Sequence, residues 1–414
     1  MIIPIRLLIY TLITIFASYA QQSKTGVHKL QSIYYQNQNT PILEKVTIFN
    51  GIDVLLEKKL HFIQSRKIAL VTNHSGIDRN GTPNYIRLME IKNVELKVIF
   101  SPEHGLFGEA ADGEIINYNE IKDIPKVISL YGGTKKPTAE MLSGINLIIY
   151  DIQDIGVRFY TYISSLGLVM EAAAELNIPV LVLDRPNPIR ADIIEGPTLD
   201  LKYRSFIGSY PIPIRYGNTI AELAEKIVEN GWVNPVPQLE TIKMEGWHPN
   251  LWFDQTELIW IPPSPNIPDL ETAIIYPGMC LIEGTNISEG RGTPKPFKWI
   301  GAPWINGKKL SQALNNFHLP GVVFVPKQFT PVTIPGKAEK PKFENKQCYG
   351  IELWVTDRNT YKSIDTGVLT LFSIYNMYPE KIIIEEDQLN KRWGDNKLYE
   401  KLTRGATTEE LLDY

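Results

Sequence analysis

Leu96-Lys97-Val98-Ile99-Phe100-Ser101-Pro102-Glu103-His104-Gly105-Leu106-Phe107-Gly108-Glu109-Ala110-Ala111-Asp112-Gly113-Glu114 joins an apolar run to a polar, glycine-rich turn. The run, Leu96 to Phe100, is short and rich in branched and aromatic side chains. Nearly continuous apolarity of that kind suits a parallel strand covered on both faces. The turn that follows holds Glu103, Glu109, Asp112, Glu114, His104 and three glycines, so a buried strand ends in a cluster of groups able to do chemistry.

The same grammar recurs on either side. Ile68–Thr72, Leu147–Tyr150 and Val180–Leu183 are further apolar runs, and each is followed by polar residues. Between them the spacing predicts helices over Pro83–Lys92, Pro137–Leu142 and Tyr162–Leu176; in the last, Leu166, Val169, Met170, Ala173 and Leu176 share one stripe. Thr219 with Glu222 three residues on forms a capping box before Leu223, Ala224, Ile227 and Val228, and Asn230-Gly231 stops that helix. Alternating strands and helices predict an open, doubly wound α/β sheet. After about residue 245 the texture turns to loops rich in Pro, Gly and Trp. Strands and helices resume past Gly301, with a strand over Gly350–Val355 and a helix over Thr366–Tyr378. Residues 46–270 are therefore assigned to the main domain and 271–414 to a smaller C-terminal α/β domain, with the active-site cleft expected between them.

A chain of 414 residues exceeds one ordinary core. Its net charge of −4 lacks the clustered basic footprint of a nucleic-acid partner. Arg6, the apolar Leu7–Phe16 and the small residues before Ala20 predict a secretory signal peptide over residues 1–20, cleaved after Ala20. Its apolar stretch is too short to span a bilayer comfortably. No stable membrane anchor is then expected after cleavage, and the destination is the periplasm or the exterior. Residues 21–45 are polar and read as a linker. Two cysteines, Cys280 and Cys348, leave one disulfide open as an option.

Four polar clusters end the four runs: Thr72-Asn73-His74-Ser75, Ser101-Pro102-Glu103-His104-Gly105, Asp151-Ile152-Gln153-Asp154 with Arg158 and Tyr160, and Asp184-Arg185-Pro186-Asn187-Pro188. In an open parallel sheet the carboxyl ends of the strands border the ligand crevice, so these clusters are expected on one shared edge. No glycine-rich phosphate cradle and no serine nucleophile elbow is present. Neither is a helical metal-binding spacing, and neither metal nor cofactor is expected. What the edge offers is carboxylates beside cations and histidines, the supply that glycosidic hydrolysis needs. Glu103 is the best acid/base candidate, with His104 beside it. A second cluster, Glu283-Gly284-Thr285-Asn286-Ile287-Ser288-Glu289-Gly290-Arg291-Gly292-Thr293-Pro294, reads as a binding loop in which Arg291 would clamp a carboxylate.

These motifs, together with Leu183-Asp184-Arg185-Pro186-Asn187-Pro188, Pro263-Ser264-Pro265-Asn266 and Tyr276-Pro277-Gly278, resemble the exo-β-N-acetylmuramidases of the NamZ type from about Val46 to the C-terminus. The resemblance implies a Rossmann-like domain and a smaller C-terminal domain with the site between them. It also implies hydrolysis of terminal β-1,4-linked N-acetylmuramic acid from the non-reducing end of peptidoglycan fragments, with disaccharides and muropeptides as partners. Glu103 is carried over as catalytic. Asp151, Asp154 or Glu289 would supply a second carboxylate, unless the substrate's own acetamido oxygen attacks; Asp154 and His104 are grouped with Glu103 as catalytic. Asn73, His74, Asp151, Arg158, Tyr160, Arg215, Glu289 and Arg291 are the substrate-binding candidates, with Arg158, Arg215 or Arg291 on the lactyl carboxylate. Two positions depart from the family pattern: Tyr216 replaces a histidine, and Lys298 follows Phe297 where an acidic residue is usual. The competing readings are a non-catalytic sugar or muropeptide-binding protein and a metal-dependent hydrolase.

Overall fold

The computed structural model describes residues 45–414 except Asp112, Ile115, Asn117, Asn119 and Glu120. The leader over residues 1–20 and all but the last residue of the linker lie outside the described residues, as does Asp112. No described helix is long and apolar enough to cross a membrane.

Six strands form one parallel sheet: β1 (Lys67–Thr72), β2 (Glu95–Ser101), β3 (Lys126–Ser129), β4 (Leu147–Asp151), β5 (Val180–Leu183) and β6 (Leu239–Ile242). Their order is β3-β2-β1-β4-β5-β6, the doubly wound order in which the winding of the chain, not the direction of the strands, reverses between β1 and β4. The four apolar runs are its inner strands, and β4 and β5 are buried at every position. Each fully buried Ile, Leu or Val there contributes on the order of 1.5–3 kcal/mol of transfer free energy.

Helices cover both faces. They are α1 (Gly51–Lys58), α2 (Asn84–Met89), α3 (Tyr162–Glu175) and α4 (Ile220–Glu229). The capping box at the start of α4 is in place, with the Thr219 hydroxyl accepting from the Glu222 N–H. Residues 137–142 differ from expectation and fold as turns: the chain reaches Gly144 at a positive φ of 75° and then the strand at Leu147 before a further helical turn can form.

The C-terminal part is smaller. It begins around α5 (Leu270–Met279), which runs into a 3₁₀ turn over Cys280–Gly284. There follow β7 (Trp299–Ala302), α6 (Gly307–Asn315), β8 (Val322–Phe329), β9 (Cys348–Val355), α7 (Ser363–Met377), α8 (Glu386–Trp393), α9 (Lys397–Thr403) and α10 (Thr408–Leu412). Its three-stranded sheet is antiparallel, in the order β7-β9-β8. Helices α5 and α7 touch backbone to backbone where Gly278 meets Gly367 and Ser363, and the Ser363 hydroxyl accepts from the Gly278 N–H at 2.9 Å. One continuous apolar core links this packing to α3 and the upper face of the parallel sheet. Cys280 and Cys348 are both buried and unbridged.

Candidate active site

Glu103 sits in the turn just beyond β2. Its Oε2 accepts from the Thr161 hydroxyl at 2.8 Å, and Oε1 meets the Gly113 N–H at 3.3 Å. Thr161 is the last residue before α3, so the acid lies between the carboxyl end of β2 and the amino end of the helix that follows β4. The turn is tightly specified. His104 adopts a left-handed conformation with φ of 70° and is buried, and its Nδ1–H donates to the Ala110 carbonyl at 2.9 Å. Gly108, also at positive φ, leaves no room for a Cβ, which would lie 2.2 Å from the His74 ring. The backbone thereby passes close over that imidazole.

A cavity of about 510 Å³ opens in front of Glu103. Wider hollows of about 860 and 650 Å³ flank the β2–β3 edge, but neither contains this acid. One wall of the cavity carries His104 and Phe159 to Tyr162, and Ser264 and Asn266 come from the proline-rich loop. The C-terminal part supplies Tyr276, Glu283, Glu289, Arg291, Phe297, Lys342 and Arg392. Tyr131, Lys135 and Phe206 also line the cavity, with the Lys135 ammonium 4.0 Å over the Phe206 ring.

The charged wall is knitted together. Glu283 Oε1 accepts from Arg291 Nη2 at 2.7 Å and Oε2 from Arg392 Nη2 at 2.9 Å. Burial alone would raise the Glu283 carboxyl; the two guanidiniums overcome that and hold it far below the usual carboxylate range. Glu289 Oε2 lies 3.0 Å from the Lys342 ammonium and its Oε1 3.6 Å from Arg291 Nε. Three cations thus meet two carboxylates, leaving one positive charge in surplus on this wall.

Glu103, His104, Tyr160, Glu289 and Arg291 are therefore brought to one cavity. The other candidates are not among its lining residues, and four polar strand ends on one site must be corrected to two. The turns after β1 and β5 interlock with the end of β4 beneath the crevice. Asp151 is fully buried, with Oδ1 accepting from Arg185 Nε at 2.6 Å and Oδ2 from Asn84 Nδ2 at 2.8 Å. Asn73 donates to the Tyr162 hydroxyl at 2.9 Å and accepts from Ser75. His74 donates through Nε2 to the Pro262 carbonyl at 2.7 Å; burial, with the neighbouring His104, lowers its basicity against the pull of that carbonyl.

Asp154 accepts from the Tyr216 hydroxyl and from the Gly156 N–H, and burial lifts its carboxyl to about 6. Tyr216, standing where the family pattern has histidine, serves as its donor. Of the three expected carboxylate clamps, Arg291 lines the cavity, and Arg158 and Arg215 do not. Arg215 pairs with Glu195 at 2.9 Å and donates to the Ile189 carbonyl. Arg158 spends both terminal nitrogens on four backbone carbonyls, those of Pro197, Ile212, Arg392 and Trp393. The other departure, Lys298, is buried and paired with Glu271.

Among the lining residues that escape sequence reasoning are Lys342, Arg392 and Thr161. Lys342 and Arg392 come from 59 and 109 positions beyond Glu283, and nothing in their local sequence separates them from solvated charges. Thr161 stands inside the Asp151–Tyr162 motif, and its place directly before the helix was a usable signal.

Comparisons with known proteins bear on the family and the fold. Models of the exo-β-N-acetylmuramidase NamZ, N-terminal and C-terminal, match residues 68–271 and 274–414. A peptidoglycan β-N-acetylmuramidase NamZ from Bacillus subtilis (strain 168) is 40% identical over 372 residues, which is 89% of this chain and 88% of that protein. Two crystal structures of DUF1343 family proteins from Bacteroides fragilis NCTC 9343 share the fold. One has a TM-score of 0.82 at 33% identity, covering 90% of this chain and 95% of its own. The other has a TM-score of 0.71 at 28% identity, covering 88% and 93%. With matching models over both parts, and with this identity across nine-tenths of its length, the chain belongs to the exo-β-N-acetylmuramidase NamZ family.

Proposed function

We propose that this chain is an exo-acting glycoside hydrolase that releases terminal β-1,4-linked N-acetylmuramic acid from the non-reducing end of peptidoglycan fragments. The observation that carries the reading is Glu103 on one wall of a cavity whose other wall holds Arg291, Lys342 and Arg392 against Glu283 and Glu289. One surplus positive charge suits a monoanionic sugar, and the lactyl carboxylate is what separates muramic acid from glucosamine.

In the reaction, Glu103 gives its proton to the glycosidic oxygen. The electron pair of the C1–O bond leaves with that oxygen. The oxygen of water then bonds to C1, and a water proton restores Glu103, which balances the hydrolysis. Of the three candidate second carboxylates only Glu289 reaches the cavity, and its ion pairs with Lys342 and Arg291 suit it to orienting the sugar. Attack by the substrate's acetamido oxygen is compatible with that role. The leader read at residues 1–20 supports export to the compartment where peptidoglycan lies.

The test is the unmodified disaccharide of N-acetylmuramic acid β-1,4-linked to N-acetylglucosamine. Wild type releases free N-acetylmuramic acid, and Glu103→Gln loses roughly 10²–10⁴-fold in turnover, the usual worth of general acid catalysis. Binding without turnover by the wild type would sustain the binding-protein reading instead. Loss of turnover to a chelator would sustain the metal-dependent one. An unimpaired Glu103→Gln removes Glu103 from the acid role.

A further inference from the structure

We infer that Thr161 is a positioning residue for Glu103, assigning different work to the two oxygens of that carboxyl group; the inference rests on Glu103 being the acid. A threonine directly before a helix ordinarily turns its hydroxyl back to accept a backbone N–H of the first turn. Thr161 does not. Its backbone is helical, with φ of −66° and ψ of −14°, and its side chain makes no capping bond. The hydroxyl instead donates to Glu103 Oε2 at 2.8 Å. The helix end is served by the Thr161 carbonyl, which accepts from the N–H groups of Ser164 and Ser165 at 3.0 Å each.

The hydroxyl is held still from behind. The next residue, Tyr162, donates to the Pro263 carbonyl at 2.7 Å and accepts from Asn73 Nδ2 at 2.9 Å. Its own carbonyl accepts from the Tyr150 hydroxyl at 2.9 Å. β1, β4 and the proline-rich loop therefore fix the start of α3, and α3 fixes Thr161. On the other side, the left-handed His104 and its bond to Ala110 fix the turn carrying Glu103. The contact joins two rigid elements.

A hydroxyl donor at Oε2 suits both states of the acid. When Glu103 is protonated, Oε2 remains the carbonyl-type acceptor and the proton resides on Oε1. When the proton has passed to the glycosidic oxygen and the C1–O pair has left with it, the charge remaining on the carboxylate is met by the same O–H. Oε1, whose contact with Gly113 is the longer one at 3.3 Å, is then the oxygen that delivers the proton.

The experiment compares Thr161→Val, which keeps the shape and removes the donor, with Thr161→Ser, which keeps the donor. Two substrates are used: the disaccharide, whose sugar leaving group needs a proton, and a 4-nitrophenyl β-N-acetylmuraminide, whose leaving group hardly does. For Thr161→Val, kcat on the disaccharide should fall about 10- to 100-fold with KM within about twofold, the worth of one charge-assisted hydrogen bond. The loss on the nitrophenyl substrate should be under about threefold, and Thr161→Ser should recover most of the disaccharide activity. Equal losses on both substrates, a Thr161→Ser variant as impaired as Thr161→Val, or disaccharide turnover within about twofold of wild type in Thr161→Val would each overturn the inference. Failure of the reading beneath it shows separately, as disaccharide turnover that survives Glu103→Gln.

Discussion

Arg158 Nη2 donates to the Trp393 carbonyl at 2.6 Å, across 235 residues of chain. The carbonyls of Arg392 and Trp393 end α8, where the helix leaves its last C=O groups without intrahelical partners. Arg158 satisfies both and ties the helix to the carbonyls of Pro197 and Ile212 through Nη1. Burial depresses the guanidinium to about 9, helped back by Asp395, so it stays charged at neutral pH. Gly394 completes the joint, because a Cβ there would lie 2.7 Å from Arg158 Nη2. The arginine first read as a substrate clamp is thus the clamp on the helix that brings Arg392 to the cavity.

Arg158→Met should therefore lower stability by about 3 kcal/mol or more, since it strands buried carbonyls together. Denaturant titration measures the loss. Arg158→Lys should recover little, because one ammonium cannot span four carbonyls in that fork geometry. In whatever folded protein remains, KM should rise more than kcat falls, as Arg392 loses its register.

Glu283→Gln leaves Arg291 and Arg392 facing one another without their shared anion. Breaking a buried pair from one side costs about 3–5 kcal/mol in well-studied cases. The pH dependence identifies the cause. Arg291 and Arg392 outweigh burial and hold the folded carboxyl below its unfolded value of 4.5, so its stabilisation is complete above that pH and fades as pH falls toward the folded value. The stability gap between wild type and Glu283→Gln should accordingly be constant from pH 6 to 8 and shrink below about pH 4. A gap that does not change with acid would show that the ion pairs are not its source.

Both thiols should be silent in the folded protein. Burial pushes the Cys348 thiol up to about 11 and the Cys280 thiol higher still, with Glu283 adding to the effect. The thiolate is the reactive form. A disulfide-exchange reagent should titrate two thiols after denaturation and almost none before, and a reducing agent should leave the melting temperature unchanged. A reductant-dependent melting temperature would mean that the cysteines pair after all.

Legibility in the sequence followed burial. β1, β2, β4 and β5 read plainly because sheet-interior strands are apolar on both faces. β3, Lys-Val-Ile-Ser, and β6, Leu-Glu-Thr-Ile, are four-residue edges with mixed exposure, so their pattern blends into loop. Glu103 was readable because a strand end announces itself. Asp151, Asp154, Arg158 and Arg215 share the same strand-end or loop grammar, and only tertiary packing decides which polar groups face the crevice and which are consumed beneath it. Arg392 lay beyond reach for the converse reason: its local sequence, Asn-Lys-Arg-Trp, resembles a solvated helix end until Arg158 and Glu283 are placed around it.

Asp154 separates burial from catalysis. Desolvation raises its carboxyl to about 6, against the lowering donors Tyr216, Gly156 and Ile155. A raised carboxyl favours the folded state when protonated: the benefit is complete below the unfolded value of 3.8 and is lost as pH rises through about 6. On this group's account, wild type should lose up to about 3 kcal/mol of stability between pH 4 and 6.5, since the carboxyl rises from 3.8 to about 6 and each pH unit is worth about 1.36 kcal/mol. Asp154→Asn keeps an oxygen acceptor for Tyr216 and Gly156 but cannot ionise, so that fall should vanish from its pH profile. Because Asp154 does not line the cavity, Asp154→Asn should also keep disaccharide turnover within about tenfold of wild type, whereas Glu103→Gln should not. A loss in Asp154→Asn as deep as that in Glu103→Gln would return Asp154 to the catalytic machinery.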